Sequence, residues 1–277
     1  MKCIAIVGSH NRNLCLLKEL ATIKKIKISQ AYILKRENLL PPPPLNLENN
    51  LKKLWKLHFK KRQETEKDYF DFDNKFLNHI ENIKYISSLN ELNLEENLKF
   101  ISSLEIDCCF IAGIPIIKKP LLDILPINTI NLHLGLIPFY KGSITTFWPF
   151  YNLEPNMLGT TYHIIDKYVD TGEILHQNRP KLEINDTLHS ASCKAVISAI
   201  NDLNLIVEEM IYRINKNMMP KKDTKLRKIG NLYKKDDWKP EMLKKIYVDY
   251  KDNIVKMYLE KKIKPSKNIK LIKLVPR

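Results

Sequence analysis

Glycine is scarce in this 277-residue chain, with only seven residues. None builds a Gly-x-Gly-x-x-Gly turn behind the first apolar run, and no Walker-type phosphate loop occurs, so the two commonest glycine-built phosphate cradles are excluded. No apolar run reaches the roughly 18 residues that a membrane-spanning helix needs. The opening MKCIAIVGSHNR returns to polar residues too early for a secretory leader, so a cytoplasmic location is expected. The five cysteines, Cys3, Cys15, Cys108, Cys109 and Cys193, are odd in number and contain no Cys-x-x-Cys pair. Three lie in apolar runs, which reads as buried reduced thiols. The scattered histidines offer no metal-ligand spacing, and no metal is expected.

What is abundant is lysine. The formal net charge is +15, and residues 216–277 hold 20 of the 46 basic and only 7 of the 31 acidic side chains. A bias toward Lys, Ile and Asn explains much of this; a basic surface for phosphates, nucleotides or an anionic membrane is the alternative.

Along the chain, Cys3–Val7 closed by Gly8 reads as a buried parallel strand. A helix over 13–24, a strand over 26–34, and then Pro41–Pro44, which break the chain, follow. A helix over 48–69 precedes strands near 83–87, 107–112 and 127–132, with helices near 92–104 and 119–124 between them. Two further strands at 158–166 and 173–177 lead to one long helix over 187–216, and a last helix is expected over 240–259. The alternation predicts an α/β fold: a Rossmann-like open, mostly parallel sheet with helices on both faces. A small basic C-terminal extension completes it. The domain reading is residues 1–217 as catalytic domain, with a helical insertion at about 45–70, and 218–277 as the extension.

Five of the seven glycines fall between Gly113 and Gly172, marking a loop-rich stretch where open α/β sheets bind ligands, outside the carboxyl ends of their strands. Within it, Asn131 and His133 sit at i and i+2 of a strand end, so both point to one face. They are suited to hold a developing oxyanion. Taken alone, chance gives about 0.6 such Asn-x-His matches here. Gly135-Leu136-Ile137-Pro138 and Tyr140-Lys141-Gly142-Ser143 then make a turning loop. Asp170-Thr171-Gly172 places a carboxylate in a turn between two strands; by itself it reads as an Asx turn. His58, Arg62 and Glu66 share one helical face, read as a solvated salt-linked face or, through Arg62, a contact to a phosphorylated acceptor. His163 reads as a satisfied core histidine, and Trp148 as packing on the sheet.

The ordered set Asn131-x-His133, Leu136-x-Pro138, Gly142, Gly159-x-Thr161 and Asp170-Thr171-Gly172 resembles the folate-dependent formyltransferases: glycinamide ribonucleotide, methionyl-tRNA and sugar N-formyltransferases. The resemblance runs from about Ala112 to Gln177. It implies transfer of a formyl group from the co-substrate 10-formyltetrahydrofolate to a primary amine, probing a nucleotide-linked amino sugar of surface polysaccharide as acceptor. Asn131 and His133 would stabilise the oxyanion of the tetrahedral intermediate, and Asp170 would orient His133 and handle protons. Phe110, Ala112, Gly113, Ile114, Ile117 and Val169 would line the pteridine pocket, with Gly135, Pro138, Lys141, Gly142 and Arg62 on the acceptor side. A homodimer is compatible with this reading; nucleic acid is not an expected partner.

Departures from the family pattern matter. Better-known members carry Ser-Leu-Leu-Pro, then Arg-Gly and a nearby Pro; this chain has Gly135, Lys141 and Thr145 instead. The tail of 62 residues is short for the carboxyl-terminal barrel of methionyl-tRNA formyltransferase. A methionyl-tRNA formyltransferase-like enzyme and a 10-formyltetrahydrofolate hydrolase are the rival readings.

Overall fold

The computed structural model describes residues 1–221, 227–265 and 268–276. Strand β1 (Lys2–Gly8) runs into helix α1 (Asn11–Thr22), then β2 (Lys27–Leu34). Helix α2 (Asn49–Tyr69), β3 (Ile83–Ile86), α3 (Glu95–Ser103) and β4 (Cys108–Ala112) follow. Next come α4 (Leu121–Ile124), β5 (Thr129–His133), the short β6 (Tyr140–Gly142) and α5 (Trp148–Tyr151). The chain continues through β7 (Thr160–Ile164), β8 (Ile174–Asn178), α6 (Leu188–Asn201) and α7 (Leu203–Asn215). Beyond them lie β9 (Asn231–Tyr233), α8 (Met242–Lys244) and α9 (Ile254–Leu259).

The main sheet has seven strands in the order β3-β2-β1-β4-β5-β7-β8. The first five are parallel, as the continuous apolar runs require; β7 is antiparallel to both β5 and β8. Alternate residues of one strand serve opposite layers. Cys3, Ala5, Val7, Phe110 and Ala112 pack toward α1 and α7, whereas Ile4, Ile6, Cys109 and Ile111 pack toward α3 and α4. All five cysteines are free and buried, and burial pushes the Cys3 thiol up to about 12. No helix among the described residues is long and apolar enough to cross a membrane.

Several element readings need correction. The long helix expected over 187–216 is two helices, broken at Asp202. There the carboxylate leaves the helix surface to meet His176 Nε2 at 2.9 Å. The helix expected over 240–259 is interrupted as well: Lys251 and Asp252 take positive φ. Asp252 is thereby turned to accept the Leu188 N–H at 3.1 Å, at the start of α6, and to pair with Lys61 at 3.0 Å. The sequence from 92 to 104 begins as a 3₁₀ turn over Leu89–Asn93. Trp148 packs not on the sheet but on the tail, stacked on Tyr233 at 4.4 Å between ring centroids.

The basic tail shares a core with the rest. Leu243, Ile246, Ile254 and Val255 are buried together with Phe147, Trp148 and Leu188. Its last part lies along β8, where the Gln177 N–H donates to the Ile272 carbonyl at 2.8 Å and the Leu274 N–H to His176 Nδ1 at 3.0 Å. A free sheet edge is thereby covered.

Candidate active site

Because β5 ends at the carboxyl edge of the sheet, Asn131 and His133 project together where chain direction reverses into the 134–145 loop. The antiparallel register of β7 sets His163 directly opposite Asn131 and Thr161 opposite His133. Asn131 Nδ2 lies 3.1 Å from His163 Nε2, and His163 Nδ1 lies 3.2 Å from the Ile164 carbonyl oxygen. A proton on Nδ1 satisfies both contacts, since the carbonyl only accepts and the amide nitrogen only donates.

Asp170 reaches the same point from the loop between β7 and β8, in the left-handed conformation (φ 50°). Its Oδ2 accepts the Gly142 N–H at 2.7 Å and stands 3.4 Å from His133 Nδ1, and Oδ1 stands 3.5 Å from His163 Nε2. Burial works to raise its pKa, but His133, His163 and the Gly142 amide outweigh burial and hold the carboxyl well below the usual range. His133 is 6% exposed. Burial holds its pKa below the ordinary histidine value, against Asp170 and the Tyr140 carbonyl, which pull upward.

His133 Nε2 lies 2.8 Å from the Tyr140 carbonyl oxygen, so the resting proton belongs on Nε2 and Nδ1 turns its lone pair toward Asp170. A second proton arriving at Nδ1 would be held between ring and carboxylate. This is a site arranged to accept a proton and to stabilise the resulting imidazolium beside a fixed anion.

The cluster thus brings together Asn131, His133 and Asp170, and adds His163, which sequence reasoning assigned to the core. The signal for it is the alternation Thr161-x-His163, readable only once β7 is known to pair antiparallel with β5. Gly135 and Gly142 also belong here. A Cβ on Gly135 would sit 2.5 Å from the Tyr140 carbonyl oxygen, 2.7 Å from His133 Nε2 and 2.9 Å from Thr145 Cβ. Two departures from the family pattern, Gly135 and Thr145, are therefore in mutual contact.

Other sequence-assigned positions lie elsewhere. Lys141 is buried, and its Nζ donates to the carbonyls of Arg227 and Ile229 at 3.1 and 2.9 Å, away from an acceptor. Pro138 is buried beneath Gly230 of the tail. Phe110 and Ala112 face α1 and α7, on the opposite side of the sheet from Ile114 and Ile117, so the six residues proposed for the pteridine do not line one pocket. Gly113 lies against the Asn13 side chain. Val169 adjoins Asp170. A groove of about 340 Å³ opens instead along Leu122, Leu125, Thr129, Ile165 and Asp166, within the size range of small-molecule sites. The His58–Arg62–Glu66 face is not solvated: His58 and Glu66 are 7% and 6% exposed. Arg62 pairs with Glu66 at 2.8 Å. Among the described residues, no group of three His, Cys, Asp or Glu side chains is placed to hold a metal.

A family model described as Formyl transferase matches residues 55–198, just over half the chain and including all four clustered residues. The chain belongs to the formyl transferase family. This formyl transferase is 34% identical over 88 residues to the GDP-perosamine N-formyltransferase of Brucella melitensis, covering 32% of each chain. It is 34% identical over 125 residues to the methionyl-tRNA formyltransferase of Thermodesulfovibrio yellowstonii, covering 45% of this chain and 39% of that one. The matched regions thus span between about a third and two fifths of these curated relatives. In fold, the formyl transferase resembles a sugar N-formyltransferase from Shewanella, with a TM-score of 0.52, 16% identity, and coverage of 86% and 78%. It also resembles the N-formyltransferase from Helicobacter canadensis solved with folinic acid and dTDP-3-aminofucose, with a TM-score of 0.50, 21% identity, and coverage of 96% and 84%.

Proposed function

We propose that this protein transfers a formyl group from 10-formyltetrahydrofolate to the primary amine of a nucleotide-linked amino sugar. The observation that carries the reading is the convergence of Asn131, His133, His163 and Asp170 on one point at the edge of the sheet. The amine nitrogen attacks the formyl carbon, and the bond from that carbon to the folate nitrogen breaks. Asn131 Nδ2 swings from His163 to the developing oxyanion, where one such donor is worth about 10²–10³ in rate. The amine proton passes to His133 Nδ1, facing Asp170, and returns to the departing folate nitrogen. The groove along Leu122, Thr129 and Ile165 admits the pterin. The sugar assignment rests on the matched relatives and on the acceptor-side departures at Gly135, Lys141 and Thr145. A homodimer is part of the proposal and is tested by sedimentation.

The test is a mass-resolved assay with 10-formyltetrahydrofolate against amino-sugar nucleotides, glycinamide ribonucleotide, charged initiator tRNA and water. A formylated amino sugar is expected. Formate release alone would replace this reading with a hydrolase, and formylated tRNA with the tRNA-directed enzyme.

A further inference from the structure

The chain contains only 7 arginines among its 46 basic residues, so arginine stands where lysine is the rule. Three of the seven meet at the carboxyl ends of β1 and β2. Arg12 Nη1 and Arg62 Nε bind the same oxygen of Glu66, at 3.1 and 2.8 Å. Arg36 pairs with the neighbouring Glu37 at 3.1 Å, and its N–H donates to Ser9 Oγ. Three guanidiniums therefore face two carboxylates.

The donors are far from used up. Each guanidinium carries five N–H groups, yet Arg12 and Arg62 each spend one on the single Glu66 oxygen, and Arg12 Nε and Arg62 Nη2 are buried without a hydrogen-bond partner. Buried guanidinium donors left unmatched are costly unless an anion completes them. Planar forked donors suit phosphate, which lysine binds only as a point charge. The side chains of Arg12 and Arg62 stay 25% and 14% exposed, so solvent reaches the cluster.

Its position fits the reaction. A Cβ on Gly8, at the end of β1, would lie 2.6 Å from the Gly113 carbonyl oxygen at the end of β4 and 3.0 Å from Arg36 Cγ. Strand β4 pairs with β5, which carries Asn131. The arginines thus stand two strand spacings, about 10 Å, from the Asn131 face on the same edge of the sheet.

We propose that Arg12, Arg36 and Arg62 form the subsite for the phosphate groups of the acceptor, holding them while its amine reaches Asn131 and His133. The proposal rests on the formyl-transfer reading for the identity of the ligand, but not for the existence of the anion site.

Titration calorimetry of the full chain with inorganic pyrophosphate, and separately with a nucleoside diphosphate, tests it. Wild type is expected to bind both, the nucleoside diphosphate more tightly. Arg12→Gln and Arg62→Gln are expected to weaken pyrophosphate at least about tenfold, with binding of 5-formyltetrahydrofolate unchanged. Arg36→Gln leaves the Arg12–Glu66–Arg62 link between helices intact, so a weakening there cannot come from lost folding. Equal affinity for the two probes supports the anion site and assigns it to a phosphorylated acceptor lacking a nucleoside. Absence of pyrophosphate binding in wild type, or unchanged affinity in all three variants, overturns it. Should no amine be formylated while the arginine variants still lose pyrophosphate, the formyl-transfer reading fails and the anion site stands.

Discussion

The backbone N–H of Gly142 donates to Oδ2 of Asp170 at 2.7 Å, and Gly142 can do so only because it adopts φ +90° beneath the tail. Its missing Cβ leaves room for the Tyr233 carbonyl oxygen, which would lie 2.1 Å from that atom. The same carbonyl accepts the Ser143 N–H at 2.8 Å, and β6 pairs with β9. A carboxylate in the catalytic cluster is thus fixed through one glycine by a strand of the basic tail.

Gly142→Ala is therefore expected to separate β6 from β9. Positive φ at a residue with a side chain, together with this overlap, costs roughly 1–3 kcal/mol. A shift of the Asp170 carboxylate by about 1 Å lowers kcat by about 10². Thermal unfolding and steady-state kinetics measure both; a variant with wild-type kcat would show that the tail does not position Asp170.

The pair Gly135 and Thr145 gives a second expectation. Restoring the serine that better-known family members carry, Gly135→Ser, places an atom within 2.5–2.9 Å of the Tyr140 carbonyl, the His133 ring and Thr145. Thr145 cannot withdraw freely, because its hydroxyl donates to the Leu134 carbonyl at 2.7 Å. Overpacking of this kind costs about 1–3 kcal/mol. The family residue is expected to lower both the melting temperature and kcat/KM here, measured on the single variant; tolerance without loss of either would refute the steric account.

Part of this architecture is legible in the sequence. Cys3–Val7 is apolar without alternation because β1 is buried on both faces, and Asn131-x-His133 ends a strand for the same local reason. His163 was not legible as part of the site: its role depends on the β7 register, set by a pairing 30 residues away. Arg62 carries no local mark of its partnership with Arg12, since Glu66 joins two helices through space. Nor does Tyr233 announce that it stacks on Trp148, for the tail docks only once both the loop and α6 are in place. Local periodicity was readable; long-range pairing was not.

His58 makes stability depend on pH in a definite direction. Burial, and then Arg62, pushes its pKa down to about 3, while the unfolded chain titrates near 6.5. Between those values the unfolded state binds the proton and the folded state does not, so stability falls as pH drops from about 6.5 toward 3. His58→Gln retains a partner for the Tyr247 hydroxyl, which lies 2.8 Å from His58 Nδ1. This variant is expected to flatten the dependence by up to about 1.4 kcal/mol per pH unit, read from urea unfolding at pH 4, 5 and 6. An unchanged slope would place the titrating group elsewhere.

Asp170→Asn separates charge from shape. The amide keeps one oxygen for the Gly142 N–H, so the loop conformation survives, but no anion remains beside His133 Nδ1. A proton taken there from the attacking amine then lacks its counter-charge, and kcat is expected to fall by about 10²–10⁴. Binding of 5-formyltetrahydrofolate, followed by fluorescence, is expected to stay within about threefold of wild type, since the groove along Leu122 and Ile165 does not include Asp170. Loss of folate binding in step with kcat would make Asp170 a binding residue; turnover within tenfold of wild type would remove the His133–Asp170 pair from the proton path altogether.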